Sequence, residues 1–235
     1  MPRPDNLRRP RRRPQGPVDH MGVLVPWANV MVETELPDWT DRQVVWHYAR
    51  LAPPNKETAL TGDFLTGLIE ATPGGLHQLS RLPLQRIYLA CTSASFTQQN
   101  AVKQATASAP VEVITAFDAL LAALDQFGAR SIALATPYPE QVTAIEVEAF
   151  SAAGITVTGS ASLDLDDGYA DLAPAQITDL VHGLIDGSVD RADAVVLSCT
   201  AWPTRIALQQ LRRTLGRPLI SSNLAICMHA TRKAP

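Results

Sequence analysis

Short apolar runs alternate with longer stretches of helical periodicity along most of this chain. The runs are GVLV (22–25), VVWHY (44–48), RIYLAC (86–91), VEVIT (111–115), SIALAT (131–136), ITVTGS (155–160), AVVLSC (194–199) and PLISS (218–222). Each is short and mostly β-branched or Leu, as expected of strands covered on both faces. Helical patterns fall between them, near 57–70, 95–107, 117–127, 139–152, 174–187, 203–215 and 223–230. Gly128 and Gly154 stand where helices should stop. Pro139, Pro174 and Pro203 stand near helix starts, where a missing N–H costs little. Pro73-Gly74-Gly75 reads as a turn. Alternation this regular predicts an α/β protein with parallel sheets.

The pattern also repeats. Pro26, at the end of the first run, lies 65 residues before Cys91, and Pro137 lies 62 residues before Cys199. The flanks echo as well: LACTS at 89–93 against LSCTA at 197–201, and Pro26-Trp27 against Pro137-Tyr138. An internal duplication is the simplest account. It predicts two Rossmann-like lobes with short parallel sheets, related by a pseudo-twofold axis, with the site in the cleft between them. The expected division is a tail over 1–21, a first lobe over 22–127 carrying Cys91, and a second over 128–235 carrying Cys199. The chain is expected to cross between lobes near its end.

Length and composition narrow the reading. At 235 residues with 46% apolar and 18% charged side chains, the chain can build a sizeable core. Its net charge of -3 hides an asymmetry. Residues 1–17 hold six Arg, one Asp and five Pro, and the remainder carries an excess of eight acidic residues. The first stretch is expected to be disordered, with folding from about Gly22. An acidic body is a poor nucleic-acid binder. No apolar run reaches the ~20 residues of a membrane span, and no apolar segment follows the N-terminal Arg cluster as in a secretory signal. Three Cys without a CxxC pair suit a reducing cytoplasm and exclude a cysteine-rich zinc module. There is no nucleotide fingerprint, so neither cofactor nor metal is expected.

Cys91 and Cys199 stand out by position. Each ends an apolar strand and is followed by Thr and a helix start, where ligands of open α/β sheets bind. Helix N-termini attract carboxylates and favour thiolate, so thiols of ordinary pKa ~8.5 are expected to be poised near neutrality. Two such thiols facing a small carboxylate allow attack on carbon, or proton removal by one and supply by the other.

Taken together, GVLVPWANVMVETEL, LACTSASF, ITAFDALLAALDQFGARSIALATPY, LSCTAWPT and GRPLISSNLA resemble the maleate isomerase and arylmalonate decarboxylase branch of the aspartate/glutamate racemase superfamily. The resemblance runs from about Gly22 to about Ala230. It implies two Rossmann-like lobes around a cofactor-free site, and commonly a homo-oligomer. It also implies that Cys91 adds to a cis-diacid as the nucleophile, giving a succinyl-type thioether whose new single bond rotates. Cys199 is then the acid and base. Asn29, Thr92, Ser93, Tyr138 and Thr200 match substrate-binding positions. Asn29, Thr92 and Ser93 also suit helix capping, and Tyr138 a turn. Keeping both thiols favours isomerisation or racemisation over decarboxylation, which needs one.

Three departures from the branch bear on the pocket. Trp27 stands where a small residue is usual, Asp166 stands near an expected Asn, and ICMHA at 226–230 replaces a segment that commonly carries Trp. Cys227, His229, His47 and His77 read as structural, and Ser221-Ser222-Asn223 as a helix cap. The expected partner is a small carboxylate substrate, with no membrane. The rivals are a racemase, a decarboxylase of a substituted malonate, and a non-catalytic small-acid-binding regulator acting through the basic tail.

Overall fold

The computed structural model describes residues 18–40, 44–54, 57–184 and 187–231. All eight apolar runs are strands: β1 (Asp19–Pro26), β2 (Val44–Leu51), β3 (Arg86–Leu89), β4 (Val113–Thr115), β5 (Ser131–Thr136), β6 (Thr156–Ser162), β7 (Ala194–Leu197) and β8 (Leu219–Ser221). They form two four-stranded, wholly parallel sheets of identical plan, β2-β1-β3-β4 and β6-β5-β7-β8. Adding four to each strand number of the first sheet gives the second, so the sequence echo reflects a repeated topology. The Cys91 strand and the Cys199 strand, β3 and β7, are interior in their sheets and buried. The edge strand β6 is only partly covered, which explains its polar sequence TVTGSAS.

The helices are α1 (Met31–Trp39), α2 (Gly62–Leu79), α3 (Thr92–Thr97), α4 (Gln99–Thr106), α5 (Ala116–Gln126), α6 (Glu140–Ala152), α7 (Pro174–Gly183), α8 (Thr204–Leu211) and α9 (Ser222–Ala230). Pro139 and Pro203 cap α6 and α8, and Pro174 opens α7. Gly128 and Gly154 lie just past α5 and α6 with φ of 63° and 80°, a conformation that glycine adopts without a Cβ clash. Thr115 and Asp118 form a capping box on α5.

Several expectations need correction. Chain order begins before Gly22: Asp19, His20 and Met21 pair with Val44, Val45 and Trp46, so three of the residues expected in the tail belong to β1. Residues 1–17 lie outside the described residues. Helix α1 was not expected, because PWANVMVETELP is short and carries Pro37 inside the helix. The segment 95–107 is two helices, α3 and α4, sharing Gln98 at their junction. The Pro73-Gly74-Gly75 turn does not exist; α2 runs through it. A Cβ on Gly75 would lie 2.8 Å from Leu51 Cδ2 and 2.9 Å from Leu24 Cδ2, so glycine there lets the helix lie close on the sheet.

The two sheets are joined by packing. One core cluster runs from Val23 and Tyr88 on the first sheet through Phe117 and Phe150 to Val195 and Ile220 on the second. Helix α9 follows the last strand of the second sheet, yet packs on α5 and α1. Its His229 shares a 3.0 Å hydrogen bond with the Tyr88 hydroxyl of β3.

Candidate functional site

The carboxyl ends of β1, β3, β5 and β7 face one cavity of about 220 Å³. Both Cys91 and Cys199 line it, with Asn29, Thr92, Ser93, Tyr138 and Thr200. All seven site residues expected from the sequence are therefore brought together at the junction of the two sheets, as parallel topology demands of residues at strand ends.

Hydrogen bonds across the junction fix these groups. Asn29 turns its Oδ1 to the N–H groups of Met31 (2.9 Å) and Val32 (3.2 Å), capping α1, while its Nδ2 donates to Thr200 Oγ1 at 3.1 Å. Thr200 Oγ1 in turn donates to Ala90 O at 2.8 Å. Thr92 Oγ1 donates to Ser222 Oγ at 3.0 Å, and the Cys199 N–H donates to the same oxygen at 3.1 Å. Asn223 Nδ2 donates to Thr200 O (3.1 Å) and to Glu35 Oε2 (2.9 Å). Capping thus explains Ser221, which accepts from Leu224 N, but not Ser222 and Asn223, which brace the loop around Cys199. Glu35, buried on α1, also accepts from Thr204 Oγ1 and Arg205 N at the start of α8.

The two sulfurs have different neighbours. Cys91 Sγ lies 3.5 Å from Ser93 Oγ, and the Ala94 N–H also reaches it. Cys199 Sγ accepts from Ala201 N at 3.2 Å and from the Tyr138 hydroxyl. The expected poise near neutrality is not what burial of the two thiols gives. Burial pushes the Cys91 thiol up and carries Cys199 up to about 12, and the few hydrogen bonds that favour thiolate only partly offset it. Part of the reason is local: no helix begins directly behind Cys199, since α8 starts at Thr204. Tyr138 is pushed up by burial and by the nearby Cys199 and Glu146, so it is a neutral donor.

The wall opposite is partly apolar and was not foreseen. Leu60 and Phe64 line it, and Tyr169 stacks edge-on to Tyr138 at 5.9 Å. Loops from the two halves meet there: Leu60 N donates to Asp166 O at 2.7 Å, and Thr58 Oγ1 donates to Asp167 Oδ2 at 2.6 Å. The loop acids on the cavity are therefore Asp167 and Asp171, while Asp166 contributes its backbone carbonyl. Trp27 does not line the cavity either; its indole N–H bonds Glu57 O at 2.9 Å on the outer side. Of the structural candidates, Cys227 is buried with its thiol toward Leu36 O at 3.6 Å, and His47 stacks on His20. His229 is half-buried against Tyr88. Among the described residues no group of three His, Cys, Asp or Glu side chains could hold a metal ion. Likewise no described helix is long and apolar enough to cross a membrane.

Known proteins resemble this arrangement. The maleate isomerase of Geobacillus stearothermophilus is 28% identical over 225 residues, covering 86% of each chain. The arylmalonate decarboxylase of Bordetella bronchiseptica is 27% identical over 183 residues, covering 75% of this chain and 76% of its own. In fold, a mutant maleate cis-trans isomerase of Nocardia farcinica with a covalently bound succinylcysteine intermediate superposes with a TM-score of 0.79. It is 20% identical and covers 90% of this chain and 91% of its own. The family model for arylmalonate decarboxylase matches residues 64–235. The chain therefore belongs to the arylmalonate decarboxylase family, in the branch that also holds the maleate isomerases.

Proposed function

We propose that this protein is a cofactor-independent cis–trans isomerase of a small unsaturated dicarboxylate of the maleate type. The observation that carries the reading is the pair of thiols, Cys91 and Cys199, facing one small cavity from interior strands of two like sheets. The Ser93 hydroxyl and the amide of Asn29 supply neutral donors for a carboxylate, and the Tyr138 phenol supplies another when its single proton turns from the Cys199 sulfur to the substrate. The curated relatives named maleate isomerases, and the succinylcysteine borne by the Nocardia farcinica enzyme, support the same chemistry.

In this reading Cys91, as thiolate, adds to one alkene carbon, and the Cys199 thiol protonates the other. The product is a succinyl thioether with a rotatable C–C bond. After rotation, the Cys199 thiolate removes the proton, the C–S bond breaks, and the trans alkene leaves with Cys91 again a thiolate. No electrons enter or leave. The cycle needs one proton shared by the two thiols, and burial disfavours losing the other, so turnover should rise with pH from neutrality. A decarboxylase would use one thiol and leave the second idle. The three free cysteines suit a reducing cytoplasm, and the family resemblance supports a homo-oligomer, which light scattering reads directly.

Proton NMR of the purified protein with a panel of diacids in deuterated water tests the reading. The expected result is conversion of a cis-diacid to its trans isomer, with activity retained after exhaustive chelation. Release of carbon dioxide from substituted malonates would favour the decarboxylase, and α-deuteration of a chiral acid the racemase. Inert diacids together with unreactive thiols would leave a small-acid-binding protein.

A further inference from the structure

Glu146 takes no part in the chemistry above, yet it sits beneath the cavity at its second-sheet side. It lies on α6, is fully buried, and accepts a hydrogen bond from Ser198, the residue immediately before Cys199. Its other oxygen, Oε2, has no hydrogen-bond partner. Ser198 is itself fully buried, and its N–H donates to Ala135 O at 2.9 Å, which ties the bond to the interior strand β5. A negative charge on Glu146 is felt by both Cys199 and Tyr138. Few other groups compete for that influence. Helix α3 and strand β6, on which α6 packs, carry no titratable side chain. Of the strand ends beside α6, β5 leads to Tyr138 and β7 to Cys199, with Cys91 across the cavity; Glu140 and Glu148 on α6 itself are exposed.

A buried carboxylate with one unpaired oxygen is costly, whereas the neutral acid is far less so. Resting on the two-thiol reading, we propose that Glu146 is a positioning residue held as the neutral acid, fixing Ser198 and Cys199 while adding no further negative charge to a cavity that Asp167 and Asp171 already line. Burial raises its proton affinity to a pKa of about 8, against a hydrogen bond from Ser198 that lowers it. Above that pH a second negative charge beside Cys199 opposes thiolate formation and repels the substrate. Glu146 therefore sets an upper pH limit on the site.

The test needs no substrate. Alkylation of Cys199 by iodoacetamide is followed on its peptide by mass spectrometry from pH 6 to pH 10, for wild type and Glu146→Gln. At pH 6 both carry an uncharged group at this position and should react at equal rates. At pH 10 the wild type carries the extra charge, and the variant should react roughly three- to tenfold faster, since an easier ionisation exposes more thiolate. A purely structural role would change both rates by the same factor, and that result overturns the proposal, as do identical rates throughout. Should Glu146→Gln fail to fold, Ser198→Ala serves: losing that hydrogen bond raises the Glu146 pKa, so the inflection in wild-type alkylation should move to higher pH. An unmoved inflection overturns the proposal. Once a substrate is in hand, kcat/KM of wild type should fall above pH 8 and that of Glu146→Gln should not. If no diacid is turned over, the isomerase reading fails while the alkylation result still decides the role of Glu146.

Discussion

Cys91 and Cys199 occupy equivalent strand ends, but only Cys199 has a phenol donating to its sulfur and a buried acid behind it. That asymmetry supports Cys91 as nucleophile and Cys199 as proton donor and acceptor. Cys91→Ser should abolish any covalent adduct, because a serine hydroxyl is a far weaker nucleophile near neutral pH. Cys199→Ser should lower turnover by ~10²–10⁴-fold and accumulate added mass on the Cys91 peptide. An adduct on Cys199 in the converse variant would reverse the roles. Asp167 offers a second prediction at this scale. Its carboxylate lines the cavity beside an incoming dianion, and like charges about 4 Å apart in water repel by about 1 kcal/mol. Asp167→Asn should raise kcat/KM for a dicarboxylate roughly fivefold at low salt, with the gain shrinking as salt is added. Cys91 and Cys199 were legible because thiols at strand ends carry a local signal, whereas Asn29, Thr92, Ser93, Tyr138 and Thr200 came only from the family resemblance. The loop acid was misplaced by one residue, Asp166 for Asp167, because nothing in DLDDGYADL fixes which side chain turns inward. That is decided by Leu60 and Thr58, about a hundred positions away.

Element boundaries follow the same logic. All eight strands were readable: the interior strands β1, β3, β5 and β7 because a strand buried on both faces is apolar, and the less covered edge strand β6 by its β-branched residues between helical stretches. Helix α2 was cut short because proline followed by two glycines is read as a turn by local rules. Those rules miss tertiary packing, which here requires the absence of a side chain at one position and is indifferent at the next. The two glycines should accordingly respond in opposite directions. Gly75→Ala places a methyl against Leu51 and Leu24, both fully buried, and should destabilise by about 1–3 kcal/mol through overpacking. Gly74→Ala meets nothing within 4 Å and should stabilise by roughly 0.5–1 kcal/mol through helix propensity and a less flexible unfolded chain. Urea midpoints of the two variants give the comparison directly. Equal effects in the two would show that the close approach of α2 to the sheet is not what glycine provides.

Across the whole molecule, the repeat of Pro26 and Cys91 in Pro137 and Cys199 made the doubled sheet legible. Nothing local announced that α9 would pack on α5 and α1, or that buried acids would lie under the junction. Both follow from closing two sheets on one cavity, which takes water away from whatever polar groups hold the halves together. Glu35 is such a group, bonded to Thr204, Arg205 and Asn223 across the junction, while Glu146 lies within the second half beneath Ser198. Burial raises the proton affinity of each above its ordinary value, with Glu146 reaching a pKa of about 8. The native state thus keeps protons that the unfolded state has released, so stability must fall as pH rises between the two pKa values. For Glu146 that window runs from 4.5, its ordinary value, to about 8, and the full shift corresponds to roughly 5 kcal/mol. This contribution is present in full below pH 4.5 and lost by pH 8. The urea unfolding free energy of wild type should therefore decline across this range by a few kcal/mol. Glu146→Gln, uncharged at every pH, should flatten most of that decline and match or exceed the wild type in stability at pH 8. A Gln variant that loses stability in parallel with wild type from pH 5 to pH 8 would show that the buried carboxyl is already ionised in the folded protein, and that its charge is accommodated by means other than the proton.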